Sequence, residues 1–225
     1  MLLRNKIILN VKINKNMIKS INYDQFEIIN NIIDLHIDKN VIDCDPTYSK
    51  GGFYKKNIIK SPMYKFDLYP QSEDVKKANS ENLPLGDESL DSIIFDPPFV
   101  VSKGPSLKKK KKGSNIISSR FSSYETIPLL WEYYSKSLKE FYRILKPDGI
   151  LIFKCQDTVS GGKNYFSHNY VMNKALEYGF YPKDFFVLLA KNRIIGKMKK
   201  QQHARKYHSY FWVFKKKKVN MPYDI

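Results

Sequence analysis

Cysteine is scarce in this 225-residue chain, where only Cys44 and Cys155 occur. Two cysteines are too few for a disulfide framework and cannot form a metal site by themselves, so free thiols are expected. The chain also lacks a run of about 18 apolar residues, the minimum for a membrane-spanning helix. Its first residues carry scattered lysine and asparagine in place of the apolar core of a signal peptide. These absences predict a soluble protein that is cytoplasmic or otherwise intracellular, and not secreted.

Acidic residues are also few relative to basic ones. The 39 Lys and Arg against 22 Asp and Glu give a formal net charge of +17. Such a charge favours a polyanionic partner, with nucleic acid ahead of an acidic membrane. The Lys-, Asn-, Ile- and Tyr-rich composition is typical of an AT-rich genome as well, in which case some lysines are plain solvated surface.

The distribution of the basic residues favours binding, because they form clusters. An unbroken lysine run occupies residues 108–112, and no acid occurs between Phe185 and Tyr223. The candidate nucleic-acid-binding residues are Lys108, Lys109, Lys110, Lys111, Lys112, Arg193, Lys197, Lys199, Lys200, Arg205 and His208. For His208, a surface histidine whose hydrogen bonds are satisfied within the protein is the alternative.

Strand-like and helical patterns alternate along the chain, which predicts a single α/β domain over residues 1–225. Helices are expected after the capping residue Asp24, over about 130–145 and over 169–178. Strands are expected near residues 40–45, 62–69, 92–95, 149–154, 185–189 and 207–214. Residues 100–124 are rich in Ser, Gly and Lys without periodicity, so they are predicted to form a mobile loop.

The run Ser92-Ile93-Ile94-Phe95 stops abruptly at Asp96-Pro97-Pro98-Phe99. Prolines cannot donate to a strand ladder, so they lie beyond the carboxyl end of a buried strand. Open α/β sheets bind their ligands at this edge, which makes Asp96 a candidate functional residue. The alternative is an ordinary strand-to-loop transition in which Asp96 caps a turn.

This tetrapeptide resembles motif IV of the S-adenosylmethionine-dependent amino-methyltransferases, which methylate adenine N6 or cytosine N4 in nucleic acids. The resemblance runs from about Ile42 to Lys216 and includes a Leu-Lys-Pro-Asp-Gly-Ile-Leu junction at residues 145–151. It implies a Rossmann-like class I methyltransferase fold with helices on both faces of a seven-stranded, mostly parallel sheet. The implied strand order is 3-2-1-4-5-7-6, with only the last inserted strand antiparallel. The implied catalytic residues are Asp96, Pro97, Pro98 and Phe99.

The same resemblance implies S-adenosylmethionine as the cofactor. Asp45-Pro46 and Gly51-Gly52 correspond to the ends of the cofactor motif Asp-Pro-Phe-x-Gly-Ser-Gly, while Tyr48-Ser49-Lys50 replaces its glycine turn. Asp67 ends a predicted strand about twenty residues further on, where an acid can accept both ribose hydroxyls or, alternatively, cap a turn. The implied cofactor-binding residues are Asp43, Asp45, Pro46, Gly51, Asp67, Asn79, Ser80 and Leu83.

The function that this reading favours is methylation of adenine N6 in DNA, with cytosine N4 as a close variant. Methylation of adenine N6 in RNA is the second possibility, and a non-catalytic nucleic-acid-binding protein on a degenerate methyltransferase fold is the third. The chemistry requires no metal, and the oligomeric state is left open.

Overall fold

The structure is a computed structural model that describes residues 17–56, 58–99, 101, 124–192 and 201–217. The predicted mobile loop at 100–124 therefore lies almost entirely outside the described residues. Within the described ranges, no helix is long and apolar enough to cross a membrane.

The described part of the chain contains three helices and ten strands. The helices are α1 (Gln25–His36), α2 (Ile127–Ile144) and α3 (Ser167–Glu177). The first five strands are β1 (Ile21–Asn22), β2 (Cys44–Asp45), β3 (Tyr64–Asp67), β4 (Lys76–Lys77) and β5 (Leu90–Phe95). The others are β6 (Leu145–Cys155), β7 (Thr158–Ser160), β8 (Lys163–Tyr165), β9 (Phe180–Leu189) and β10 (His208–Lys216).

The main sheet has the order β1-β9-β10-β6-β5-β2-β3-β4. Strand β10 is antiparallel to both β6 and β9, and the remaining pairs are parallel. From β4 to β9 this is the predicted order 3-2-1-4-5-7-6, with the inserted strand antiparallel as expected. The predicted class I methyltransferase fold is confirmed.

The sheet also differs from the prediction in extent. It has an eighth strand, β1, which pairs in parallel with the outer edge of β9 at Val187 and Leu188. Strand β9 begins at Phe180, five residues before the predicted start, and includes Pro182. Proline is tolerated there because β1 pairs only with the far end of β9, so no ladder bond is required of Pro182 on that side. Strands β7 and β8 form a separate hairpin that the sequence reading did not predict.

Different helices pack against the two faces of the sheet. Along β5, Ile93 and Phe95 belong to one core cluster, which includes residues of α2 and α3, while Ile94 belongs to the other, which includes residues of α1. This alternation follows from the two-residue period of a strand. Helix α1 begins at the predicted cap, where Asp24 accepts a hydrogen bond from the Phe26 N–H. It buries Ile28, Ile29, Ile32 and Ile33.

The parallel strands bring four acids to one edge of the sheet. Asp45 and Asp67 are the last residues of β2 and β3, Asp96 follows β5, and Asp157 lies two residues beyond β6. Because the carboxyl ends of parallel strands meet at the same edge, the topology places the candidate site there.

Candidate active site at the carboxyl edge of the sheet

Asp45 is the most deeply buried acid at this edge, with 2% of its surface exposed. Its Oδ1 accepts hydrogen bonds from the Thr47 N–H (2.9 Å) and the Thr47 hydroxyl (3.1 Å), and its Oδ2 accepts one from the Tyr54 hydroxyl (3.0 Å). Burial raises the pKa of Asp45 to about 7, because these hydrogen bonds only partly offset the loss of solvent.

Thr47 joins this acid to the turn after β5. Its hydroxyl oxygen donates to Asp45 and accepts a hydrogen bond from the Asp96 N–H at 2.9 Å. The loop that corresponds to the cofactor motif is therefore bonded directly to the predicted catalytic turn. The sequence reading did not anticipate this contact, since the two residues are 49 positions apart.

Asp96 has a second, unpredicted partner. Its Oδ2 lies 3.0 Å from the Nζ of Lys154, the penultimate residue of β6. Lys154 is only 8% exposed, and its ammonium group also lies over the rings of Phe53 (5.2 Å) and Phe211 (5.6 Å). The other carboxylate oxygen, Asp96 Oδ1, is buried and has no hydrogen-bond partner among the described residues. A buried acceptor without a partner is unfavourable, so this atom is suited to a donor on a ligand.

A cavity of about 280 Å³ opens beside these groups, lined in part by Asp45, Thr47, Gly52, Phe53, Asp96 and Lys154. Lys50 and Lys55 also line it. The carboxylates of Asp45 and Asp96 and the ammonium groups of Lys50 and Lys55 thus line one cavity, as a zwitterionic ligand with a further positive charge requires.

Gly51 shapes the loop on one side of this cavity. Its φ is +64°, and a side chain there would place a Cβ 2.7 Å from the Tyr48 hydroxyl oxygen. The Tyr48 ring in turn stacks on the Tyr54 ring, with centroids 5.2 Å apart. Glycine is therefore favoured at position 51 by both its backbone conformation and its close neighbour.

Asp67 lies at the end of β3 and is bonded to the same loop. Its Oδ2 accepts from the Ser49 N–H (2.9 Å) and its Oδ1 from the Tyr69 N–H (2.7 Å). Burial raises its pKa, and the two backbone hydrogen bonds oppose that shift. Each carboxylate oxygen can accept more than one hydrogen bond, so Asp67 retains capacity for ligand hydroxyls.

The geometry of this edge agrees with a comparison against protein families. A family model for N6/N4 methyltransferases, described as DNA methylase, matches residues 90–225, which is more than half of the chain. The chain belongs to the N6/N4 DNA methylase family. S-adenosylmethionine is the cofactor of this family. The match begins at Leu90, so the loop from Asp45 to Gly52 and the Asp67 region lie outside it.

Several solved methyltransferase structures are similar to the chain. The cytosine-N4-specific PvuII DNA methyltransferase is 18% identical, with a TM-score of 0.43, and the match covers 64% of this chain and 49% of that one. An S-adenosylmethionine-dependent methyltransferase from Methanosarcina mazei is 11% identical, with a TM-score of 0.47 and coverage of 83% and 97%. A proposed DNA modification methylase from Thermus thermophilus, solved with S-adenosyl-L-methionine, is 14% identical, with a TM-score of 0.43 and coverage of 65% and 56%. The chain thus spans about half the length of the PvuII enzyme. A comparison with curated proteins finds no match.

Helix α2 supports the turn that residues 96–99 form after β5. Pro97 is buried, and the Pro98 carbonyl accepts a hydrogen bond from the hydroxyl of the fully buried Tyr134 at 3.0 Å. Phe99 is partly exposed.

Three of the predicted cofactor ligands have their polar groups bonded within the protein. The Ser80 hydroxyl contacts the hydroxyls of Tyr133 (2.8 Å) and Ser137 (3.0 Å) on α2. The Asn79 amide donates to Glu81 at 2.9 Å. Leu83 is buried in the core, and its N–H donates to Glu140. The loop from 79 to 83 is therefore held by α2, through the contacts of Ser80 and Leu83.

The remaining two predicted ligands lie just before and just after Cys44-Asp45. Asp43 accepts hydrogen bonds from the backbone N–H groups of Asp91 (2.7 Å) and Ser92 (3.1 Å), and it is not among the residues that line the cavity. These contacts give Asp43 the structural task of aligning the start of β5. Pro46 is buried in the turn after β2.

Most of the predicted nucleic-acid-binding residues cannot be placed. Residues 108–112 and Arg193, Lys197, Lys199 and Lys200 lie outside the described residues. Arg205 lines a second cavity of about 410 Å³ together with Asp157 and Lys206. His208 begins β10, and its carbonyl accepts a hydrogen bond from the Gln156 amide at 3.0 Å.

Beside this second cavity lies a polar cluster that the sequence reading missed. The carboxylate of Asp157 contacts His168 Nδ1 at 2.7 Å and accepts a hydrogen bond from the Tyr210 hydroxyl at 3.2 Å. Burial favours a higher pKa for Asp157, but the hydrogen bonds with His168 and Tyr210 outweigh it and lower the pKa. Lys154 and Asp157 both lie in the run Lys-Cys-Gln-Asp at the end of β6, where polar residues following a buried strand were a signal that could have been used.

Proposed function

We propose that this protein transfers a methyl group to the exocyclic amino group of a base in DNA, and that the target atom is N6 of adenine. The observation that carries the proposal is the buried, unpaired Oδ1 of Asp96, which belongs to the family tetrapeptide and faces no protein donor among the described residues. Its position at the carboxyl edge, beside a cavity with Asp45 and Lys154, supports this assignment.

The exocyclic amino group is a poor nucleophile because its lone pair is delocalised into the ring. Asp96 Oδ1 accepts one amino hydrogen and the Pro97 carbonyl accepts the other, which draws the nitrogen toward tetrahedral geometry. S-adenosylmethionine supplies a methyl group on a positively charged sulfur. The attacking nitrogen would form the new N–C bond as the C–S bond breaks, and the sulfur would keep that electron pair. The proton that the nitrogen loses would pass to the Asp96 carboxylate, which already accepts it in a hydrogen bond. Phe99 stacks on the base after it has left the duplex.

Cofactor binding in this proposal depends on Asp67 and on the loop from Asp45 to Gly51. Replacing Asp67→Ala removes a charged acceptor for the ribose hydroxyls and weakens cofactor binding by about 1.5–3 kcal/mol. Asp74→Ala is the matched control, because Asp74 belongs to the same stretch but its side chain is 58% exposed and paired with Lys65. Calorimetric titration with S-adenosylmethionine measures both variants. Equal affinities in two folded variants would place the ribose elsewhere.

The charge of +17 supports a nucleic acid as the substrate. DNA is favoured because the family model is that of a DNA methylase. Adenine N6 is the target atom that we propose, and cytosine N4 is its close variant, since both bases present an exocyclic amino group to Asp96.

Labelled S-adenosylmethionine, incubated with separate DNA and RNA pools and followed by identification of the modified nucleoside, tests the proposal. We expect N6-methyldeoxyadenosine. N4-methyldeoxycytidine would change the target base, and a label in RNA alone would change the substrate. Asp96→Ala should lower methyl transfer by about two orders of magnitude or more with nearly unchanged cofactor affinity. If the parent protein gives no heat with the cofactor, it is a binding protein on a methyltransferase fold.

A further inference from the structure

Lys154 is an unusual residue for its place in the fold. It occupies a central strand, its side chain is 10% exposed, and lysine is rarely buried unless its charge is paired. Its neighbour Phe153 pairs with Phe95 across β6 and β5, so Lys154 and Asp96 follow paired residues at the carboxyl ends of two adjacent parallel strands. The sheet register therefore brings them together, although they are 58 positions apart.

The ammonium group is held on more than one side. Phe53 and Phe211 present their rings to Nζ, with centroids 5.2 Å and 5.6 Å away. Aromatic faces attract a cation, and a buried cation keeps a fixed position because few other sites can accept it. Lys154 is thus a fixed donor beside Asp96.

The contact with Lys154 makes the two carboxylate oxygens of Asp96 different from each other. The Asp96 N–H is bonded to Thr47, and Oδ2 is bonded to Lys154. A partial rotation of the carboxylate would lengthen the contact with Lys154, whereas a half-turn exchanges two chemically equivalent oxygens and restores it. The remaining atom, Oδ1, is the buried acceptor that has no partner among the described residues.

We propose that Lys154 is a positioning residue, which holds Oδ2 of Asp96 so that Oδ1 stays oriented to accept the hydrogen bond of the target amino group. The inference rests on the proposed function, since it concerns the same acid. It gives the lysine a task in the methyl-transfer step and none in binding the nucleic acid or the cofactor.

The test compares Lys154→Met with Lys216→Met in the full chain. Both lysine side chains are 10% exposed, both pair with a carboxylate, and both lie over aromatic rings, but Lys216 pairs with Glu88 at the opposite edge of the sheet. Lys154→Met should lower kcat by about tenfold to a hundredfold, the scale expected when a reacting group is misplaced. The KM for DNA and the Kd for S-adenosylmethionine should remain within about threefold, because binding groups are unchanged. Lys216→Met should retain parental kcat.

A double-mutant cycle separates positioning from general stability. If Lys154 acts through Asp96, Lys154→Met should have little further effect on single-turnover rates in an Asp96→Asn background. Independent losses that add would overturn the proposal, as would a parental kcat for Lys154→Met.

The charge-conserving variant Lys154→Arg should have a higher kcat than Lys154→Met. It also serves as the second variant if Lys154→Met does not fold. A rate for Lys154→Arg as low as for a neutral Lys154→Gln variant also counts against the proposal. Absence of methyl transfer by the parent protein would instead reject the proposed function itself.

Discussion

At the scale of single residues, Asp45 shows how burial sets the charge of an acid. Its pKa is raised from the ordinary value of 3.8 to about 7. A carboxyl whose pKa is raised by folding binds its proton more tightly in the folded state. Its contribution to stability is therefore fully present below about pH 4 and is lost as the pH rises through about 7.

Replacing Asp45→Asn should remove this pH dependence. The free energy of unfolding of the parent should fall between pH 5 and pH 8 relative to that of the variant, by an amount on the order of a few kcal/mol. Urea denaturation at the two pH values measures the difference, and all other titrating groups cancel in the comparison. Parallel pH curves for the two proteins would contradict the assigned burial effect.

Gly51 permits a second test at the residue scale. Gly51→Ala should cost about 1–2 kcal/mol for its left-handed backbone, and more because the new Cβ would meet the Tyr48 hydroxyl at 2.7 Å. Gly162→Ala is the matched control, since its φ is +73° but nothing lies within 4 Å of its Cβ position. We expect the Gly51 variant to be the less stable in urea and to bind S-adenosylmethionine more weakly. If both substitutions cost the same, the contact with Tyr48 is easily relieved.

At the scale of elements, helix α2 organises the loops around the site. Tyr134 bonds the Pro98 carbonyl, Tyr133 and Ser137 contact Ser80, and Glu140 accepts from the Leu83 N–H. One helix thus holds both the turn after β5 and the loop from 79 to 83. Its own position is fixed by a buried face that includes Leu130, Leu138 and Phe141.

Tyr134→Phe should loosen the catalytic turn without creating a cavity. The lost hydrogen bond to Pro98 should lower the free energy of unfolding by about 0.5–1.5 kcal/mol and reduce kcat. Tyr178→Phe is the control. The Tyr178 hydroxyl contacts the Ser135 hydroxyl of α2 at 2.6 Å, so this variant also loses a hydrogen bond to α2 but leaves the bond between Tyr134 and Pro98 in place. We expect a similar loss of stability but parental kcat. A parental kcat in both variants would show that the hydrogen bond does not position the turn.

At the scale of the whole molecule, the charge of +17 predicts strongly salt-dependent binding to nucleic acid. If residues 108–112 neutralise phosphates, replacing the five lysines with serine should flatten the slope of log affinity against log salt by about a few units. Cofactor affinity and the choice of base should not change, because phosphate contacts do not read the base. Fluorescence anisotropy at several salt concentrations gives the slope. A slope equal to that of the parent would mean that residues 108–112 do not contact phosphates. The basic segment 191–206 would then be the next candidate for these contacts.

Local patterns in the sequence predict much of the fold. The cap at Asp24, the apolar face of α1 and the Pro97-Pro98 stop after β5 depend on neighbouring residues, so they can be read directly. The order of these patterns, together with the family resemblance, predicted the strand order of the sheet.

Contacts between distant residues depended on the tertiary structure. Lys154 meets Asp96, and Thr47 meets the Asp96 N–H, only because the register of adjacent strands brings together residues about fifty positions apart. The same assembly bonds Asp43 to the start of β5 and Ser80 to α2. The sequence alone therefore determined the three helices, six strands of the main sheet and the acid that follows β5. The folded sheet decided which partner each acid has, because hydrogen bonds form between whichever groups the packing brings within about 3 Å.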